Sequence, residues 1–129
     1  MSQDPNPSDL RAKIYQQIES GDFKGWFETL YSGAQQNADI IPWSHATTHP
    51  LLTSWLDKND LHGTGKRALV LGCGLGDDAE KLAELGFQVT AFDISSSAID
   101  WAKQRFPDTT VDYQVADLFN LPADWQGQF

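Results

Sequence analysis

A chain of 129 residues, 40% of them hydrophobic, suffices for one modest domain around one core. Its formal net charge of -9 argues against a nucleic-acid backbone or an anionic membrane surface as partner, since both need a basic patch, and it serves solubility. The single cysteine, Cys73, excludes an intrachain disulfide and fits a reducing, cytoplasmic setting.

The opening MSQDPNPSDL lacks the basic and apolar parts of a signal segment, and no apolar run approaches the ~20 residues of a membrane span. Residues 1–7 read as a disordered lead. Ser8 is expected to cap a helix over 9–20, where Leu10, Ile14 and Ile18 recur every fourth residue and Gly21 ends the run. A second short helix is expected over 24–32, with Trp26, Phe27, Leu30 and Tyr31 on one side. SGAQQNADIIPW is loop-like. Pro50 suits the first turn of a third helix carrying Leu51, Leu52, Trp55 and Leu56, and NDLHGTGK is a turn-rich break. Residues 8–62 thus form a helical region ahead of an α/β region over 63–129.

From Lys66 the pattern changes. RALVLG is a continuous apolar run, as expected of a strand buried on both faces. A helix follows from about Asp77 to Leu85, with Gly86 as its C-terminal cap, and FQVTAFD is the second strand. Ser95 to Ser97 offer caps for a helix reaching Phe106, and Ser97 with Asp100 has capping-box spacing. VDYQVAD alternates Val111, Tyr113 and Val115 as a third strand. Strand–helix–strand–helix–strand with short connections predicts an α/β, Rossmann-like parallel sheet. In such sheets the first strand is normally central, yet the chain stops at DWQGQF as another strand falls due. We therefore expect a partial sheet, cut short before its fourth strand or completed by a partner, with an uncovered edge open to self-association.

Gly72, Cys73, Gly74, Leu75 and Gly76 form G-x-G-x-G between the first strand and its helix. The dinucleotide fingerprint G-x-G-x-x-G wants its third glycine at position 77, which is aspartate. Asp93 ends the second strand about twenty residues on, the position that holds ribose hydroxyls in dinucleotide folds. Asp117 ends the third strand as an acceptor for an adenine amine, with Ile94 and Leu118 as apolar walls. The loop's candidate contacts are Leu71, Gly72, Cys73, Gly74, Gly76 and Asp78. A pyrophosphate would use the positive end of the helix, where Asp77 and Asp78 oppose an anion. S-adenosylmethionine carries the same adenosine with an ammonium and a sulfonium, so it is the expected cofactor.

The stretch GKRALVLGCGLGDDAEKLAELGFQVTAFDISSSAIDWAKQRFP resembles the nucleotide-binding half of class I S-adenosylmethionine-dependent methyltransferases. More narrowly it is similar to the thiopurine and thiol/halide methyltransferase group, whose pattern RALV-x-GCG-x-G-x-D and DIS-x-x-A it matches. The resemblance covers about residues 22–129. The group's tryptophan-bearing lid is matched by Trp26 in GWFETLY, where Leu30 replaces a second tryptophan, and by Trp43 in IPWSHATTHPLL. The resemblance thus implies a lid over residues 8–62, with Trp26 and Trp43 covering the cofactor, and an indole beside a sulfonium is a sound cation–π pair. It implies methyl transfer to a small nucleophile of the thiol, thiopurine or halide class. The alternatives are a nicotinamide- or flavin-binding oxidoreductase domain and a non-catalytic cofactor-binding fragment.

The remaining candidates carry blander readings. Cys73 suits a tight turn and has no flanking base to activate it. His45 and His49 are four residues apart, but Pro50 disfavours a helix there, HExxH is absent, and no metal site is expected. Trp55, Trp101 and Trp125 are expected to pack against the sheet. No catalytic acid or base stands out, which suits an already activated methyl donor; a group that deprotonates the acceptor is expected beyond Phe129.

Overall fold

The computed structural model describes residues 6–129. Residues 1–5 of the expected disordered lead lie outside the described residues, and Pro7 already belongs to the first helix. Helix α1 spans Pro7–Glu19, and its cap is Asn6 rather than Ser8. The Asn6 Oδ1 accepts the Ser8 N–H at 3.0 Å, while Pro7 takes the first turn, where a missing N–H costs nothing. Helix α2 (Gly25–Gly33), one 3-10 turn (Ala38–Ile40) and helix α3 (Pro50–Asn59) follow. On α3 only Leu56 is buried. Trp55, one position round the helix, is 53% exposed and does not reach the sheet, contrary to expectation.

The α/β region runs β1 (Arg67–Leu71), α4 (Asp77–Glu84), β2 (Gln88–Asp93), α5 (Ser96–Arg105) and β3 (Asp112–Val115), ahead of a 3-10 turn at Ala123–Trp125. The strands are parallel in the order β1-β2-β3. This is the expected Rossmann-like arrangement. Ala79 of α4 and Ile99 and Ala102 of α5 pack with Val89, Ala91, Val111 and Tyr113 of the strands as one apolar cluster. On the opposite face Trp125 covers Phe92, ring centroids 5.6 Å apart. β1 differs from the expected strand buried on both faces. It pairs with β2 alone among the described residues, and Leu71 stays 52% exposed.

A second cluster joins Ile14 of α1 and Leu30 and Tyr31 of α2 to Ala98 and Trp101 of α5 and to Leu75 in the glycine loop. Trp101 therefore packs against α2 rather than on the sheet, edge-on to Tyr31 at 6.5 Å. The cap of α5 is Ser95, whose Oγ accepts the Ala98 N–H at 3.0 Å. The Ser97–Asp100 capping box does not form, because the Ser97 N–H donates to Glu28 of α2 at 2.7 Å. Among the described residues no helix is long and apolar enough to cross a membrane. The register Leu71↔Phe92 and Asp93↔Val115 brings the carboxyl ends of all three strands to one edge, where open α/β sheets hold their ligands.

Candidate functional site

At that edge the chain leaves β1 through Gly72 (φ +61°), Gly74 (φ +53°) and Gly76 (φ +91°), conformations that L side chains resist. The glycines serve different ends. A Cβ on Gly72 would meet nothing within 4 Å, so its backbone faces open space that a ligand can approach. A Cβ on Gly76 would run into the Tyr113 hydroxyl. Asp93, 7% exposed, closes the loop against β2: its Oδ2 accepts the Gly74 N–H at 2.9 Å and its Oδ1 the Ser95 N–H at 3.0 Å.

Beside Asp93 lies a cleft of about 350 Å³ whose floor is Leu71, Gly72, Asp93, Ile94, Asp117 and Leu118. Its roof comes from Phe23, Lys24, Phe27, Tyr31, Trp43 and Phe119. A second, more polar cleft of about 230 Å³ shares Tyr31, Trp43 and Gly72 and follows the loop past Cys73, Gly74, Gly76 and Asp78 to Ser44 and His45. Tyr31 and Trp43 stand at the junction, joined by the Trp43 Nε1–H donating to the Tyr31 hydroxyl at 2.9 Å.

Eleven of the twelve sequence-derived candidates therefore border these two clefts: Trp43, Leu71, Gly72, Cys73, Gly74, Gly76, Asp78, Asp93, Ile94, Asp117 and Leu118. Trp26 does not. It stacks on Phe27 at 3.9 Å and lines a separate groove against α1. Helix periodicity gives α2 two adjacent stripes: Trp26 with Leu30, and Phe27 with Tyr31. The first stripe faces α1 and the second roofs the cleft. The spacing of Phe27 and Tyr31 is the signal that could have marked them.

The loop aspartates also need correction. Asp77 faces Arg105, whose Nη1 and Nη2 donate to both carboxylate oxygens at 2.9 Å while Nη1 also holds the Leu75 carbonyl at 2.8 Å. Its charge is matched within the protein and is not free to attract a ligand. Asp78 is not paired with a cation among the described residues: its Oδ1 accepts the backbone N–H of His49 at 2.8 Å. Asp117 is engaged as well: Oδ2 meets Lys24 Nζ at 2.6 Å and Oδ1 accepts the Phe119 N–H at 3.0 Å. The Lys24 hydrogen bond, foremost, holds the Asp117 carboxyl below its ordinary range.

Burial, and after it the Asp93 charge, pushes the Cys73 thiol up to about 12. The thiolate is the reactive form, so iodoacetamide at pH 8 is expected to alkylate Cys73 at least about tenfold more slowly in the folded protein than in urea. Equal rates, followed by mass spectrometry, would show an accessible, ionisable thiol.

Residues 68–129 match the family described as "Methyltransferase domain". A ubiquinone biosynthesis O-methyltransferase of Burkholderia multivorans is 40% identical over 83 residues, 63% of this chain and 35% of the relative. A structure solved in work on the conversion of a disulfide bond into a thioacetal group during echinomycin biosynthesis is 31% identical with a TM-score of 0.67, over 80% of this chain and 42% of that one. A Haemonchus contortus phosphoethanolamine N-methyltransferase 2, solved with S-adenosyl-L-methionine, shares the fold at a TM-score of 0.55 and 24% identity, over 74% of this chain and 24% of that one. The chain thus spans about a third of the length of the curated relatives it matches.

Proposed function

We propose that the methyltransferase domain of residues 68–129, with the helices ahead of it, is the S-adenosylmethionine-binding part of an enzyme that methylates a small molecule. In this reading residues 8–62 are the lid and 63–129 the cofactor-binding region. The observation that carries it is the buried Asp93, tied to the glycine loop at the floor of an aromatic-roofed cleft.

The residues present fit the cofactor. Gly72 leaves its backbone open where a side chain would stand in a ligand's way, and among the described residues the buried Ser44 Oγ beside the loop has no partner. Arg105 is taken up by Asp77 and the Leu75 carbonyl, and Asp78 leaves a carboxylate at the start of α4, so a pyrophosphate would meet an anion in the loop cleft. Asp93 has acceptor capacity left for ribose hydroxyls, because each carboxylate oxygen accepts only one N–H. Ile94, Leu118 and Phe27 supply apolar surfaces for the adenine ring, and Trp43 an indole face near the loop. When bound, the cofactor supplies an electrophilic methyl group on a sulfonium that is already a good leaving group. The protein's part is then to align donor and acceptor and exclude water.

For the acceptor, the resemblance of residues 22–129 favours a thiol, thiopurine or halide. The relatives named for O-methylation in ubiquinone biosynthesis favour an oxygen acceptor instead. Titration calorimetry decides the cofactor: S-adenosylmethionine is expected to bind and NAD not. NAD binding without S-adenosylmethionine binding would replace this reading by the oxidoreductase one.

A further inference from the structure

We propose that Glu28 is a positioning residue: it locks helix α2, the roof of the cleft, onto the turn after Asp93, and so sets how tightly the cleft holds its ligand. The inference rests on the cofactor reading above and adds a residue to it. One oxygen, Glu28 Oε1, accepts three hydrogen bonds from a segment more than sixty residues away: the Ser97 N–H at 2.7 Å, the Ser96 hydroxyl at 3.0 Å and the Ser95 hydroxyl at 3.2 Å.

Ser95 is fully buried and is held from both sides. Its Oγ accepts the Ala98 N–H, which leaves its proton directed at Glu28, and its own N–H donates to Asp93. Asp93 in turn holds the Gly74 N–H. A chain of hydrogen bonds therefore runs from α2 through Ser95 and Asp93 into the glycine loop. Phe27 and Tyr31, the cleft's aromatic roof, sit beside Glu28 and one turn beyond it on the same helix.

The charge is also well placed. A carboxylate at the N-terminus of α5 meets unpaired N–H groups and the positive end of the helix dipole. Burial alone would raise the Glu28 carboxyl, but the serine hydrogen bonds outweigh it and hold the group below its ordinary value. Leu30 and Tyr31 already pack against Ala98 and Trp101, so cohesion between α2 and α5 does not need Glu28. Apolar packing is non-directional, whereas three hydrogen bonds on one oxygen fix the angle of the helix over the cleft.

The test uses Glu28→Ala and Glu28→Gln, with amide hydrogen exchange on the free protein and S-adenosylmethionine titrations. Glu28→Ala is expected to speed exchange at Ser97 and also at Ser95 and Gly74, and to weaken binding about tenfold. Glu28→Gln keeps an acceptor at the same place and is expected to recover affinity to within about threefold of the parent. Faster exchange at Ser97 alone, with affinity unchanged, overturns the proposal, as does equal loss in both variants. If Glu28→Ala does not fold, Ser96→Ala, which removes one exposed donor, takes its place. Weaker binding with a folded core supports the proposal, and unchanged binding overturns it. A parent protein that binds no S-adenosylmethionine, while Gly74 and Ser95 still respond to Glu28, overturns the cofactor reading and leaves the coupling supported.

Discussion

Replacing Asp93 by alanine is expected to lower folding stability by about 2–4 kcal/mol, because two N–H groups in a buried turn lose their acceptor together. The groups are Gly74 N–H, in the glycine loop, and Ser95 N–H, at the cap of α5. Neither gains water easily, since Asp93 is 7% exposed and Ser95 fully buried. The same substitution removes the proposed ribose acceptor, so S-adenosylmethionine binding should fall below detection even where the protein remains folded. Asp93→Asn separates the two effects. Its amide oxygen can still accept one N–H, but its NH2 then faces the other donor, and about half of the stability loss should remain. Denaturant melts followed by circular dichroism measure the first effect and calorimetry the second. A stability change within about 0.5 kcal/mol, the range of ordinary surface substitutions, would mean that the loop is not held by this carboxylate.

Gly76→Ala and Gly72→Ala should part company in the same pair of measurements. At Gly76 the φ of +91° alone costs a non-glycine residue about 1–2 kcal/mol. The added methyl also displaces the Tyr113 hydroxyl, which donates to Glu80 Oε1 at 2.8 Å from a side chain only 4% exposed. The combined loss is expected to be about 3–4 kcal/mol. At Gly72 the φ is +61° and the added methyl meets open space, so only the backbone cost of about 1–2 kcal/mol applies. In the proposed cofactor reading that methyl would stand in the ligand's path, so Gly72→Ala should fold and fail to bind. If Gly72→Ala binds S-adenosylmethionine as the parent does, the ligand does not lie over that glycine.

The contrast between these two glycines shows where sequence reading stops. Three glycines between a strand and a helix mark a loop that requires positive φ, and this requirement is local. Which of them faces open space and which faces Tyr113 depends on β3, thirty-seven residues beyond Gly76 and brought alongside by the sheet. The same division runs through the charges. Asp77 beside Asp78 looks like a single acidic patch in the sequence. In space Arg105, from the end of α5, neutralises one of them and leaves the other.

Short-range chemistry was thus enough to determine the strand and helix order, the parallel sheet, the glycine loop, and the placing of Asp93 at the end of β2, whereas Asp117, expected to end β3, lies two residues beyond Val115 in a bridge to Asn120. Caps, breakers and apolar periods act over a few residues and are written in neighbouring letters. Tertiary structure alone decided which stripe of α2 roofs the cleft, so that Phe27 and Tyr31 took the place expected for Trp26. It also decided that Trp101 packs on α2 and that Glu28 reaches Ser95 to Ser97. Each of these depends on the angle and distance between elements far apart in the chain. That geometry is set by the packing of whole faces, so no local pattern of residues encodes it.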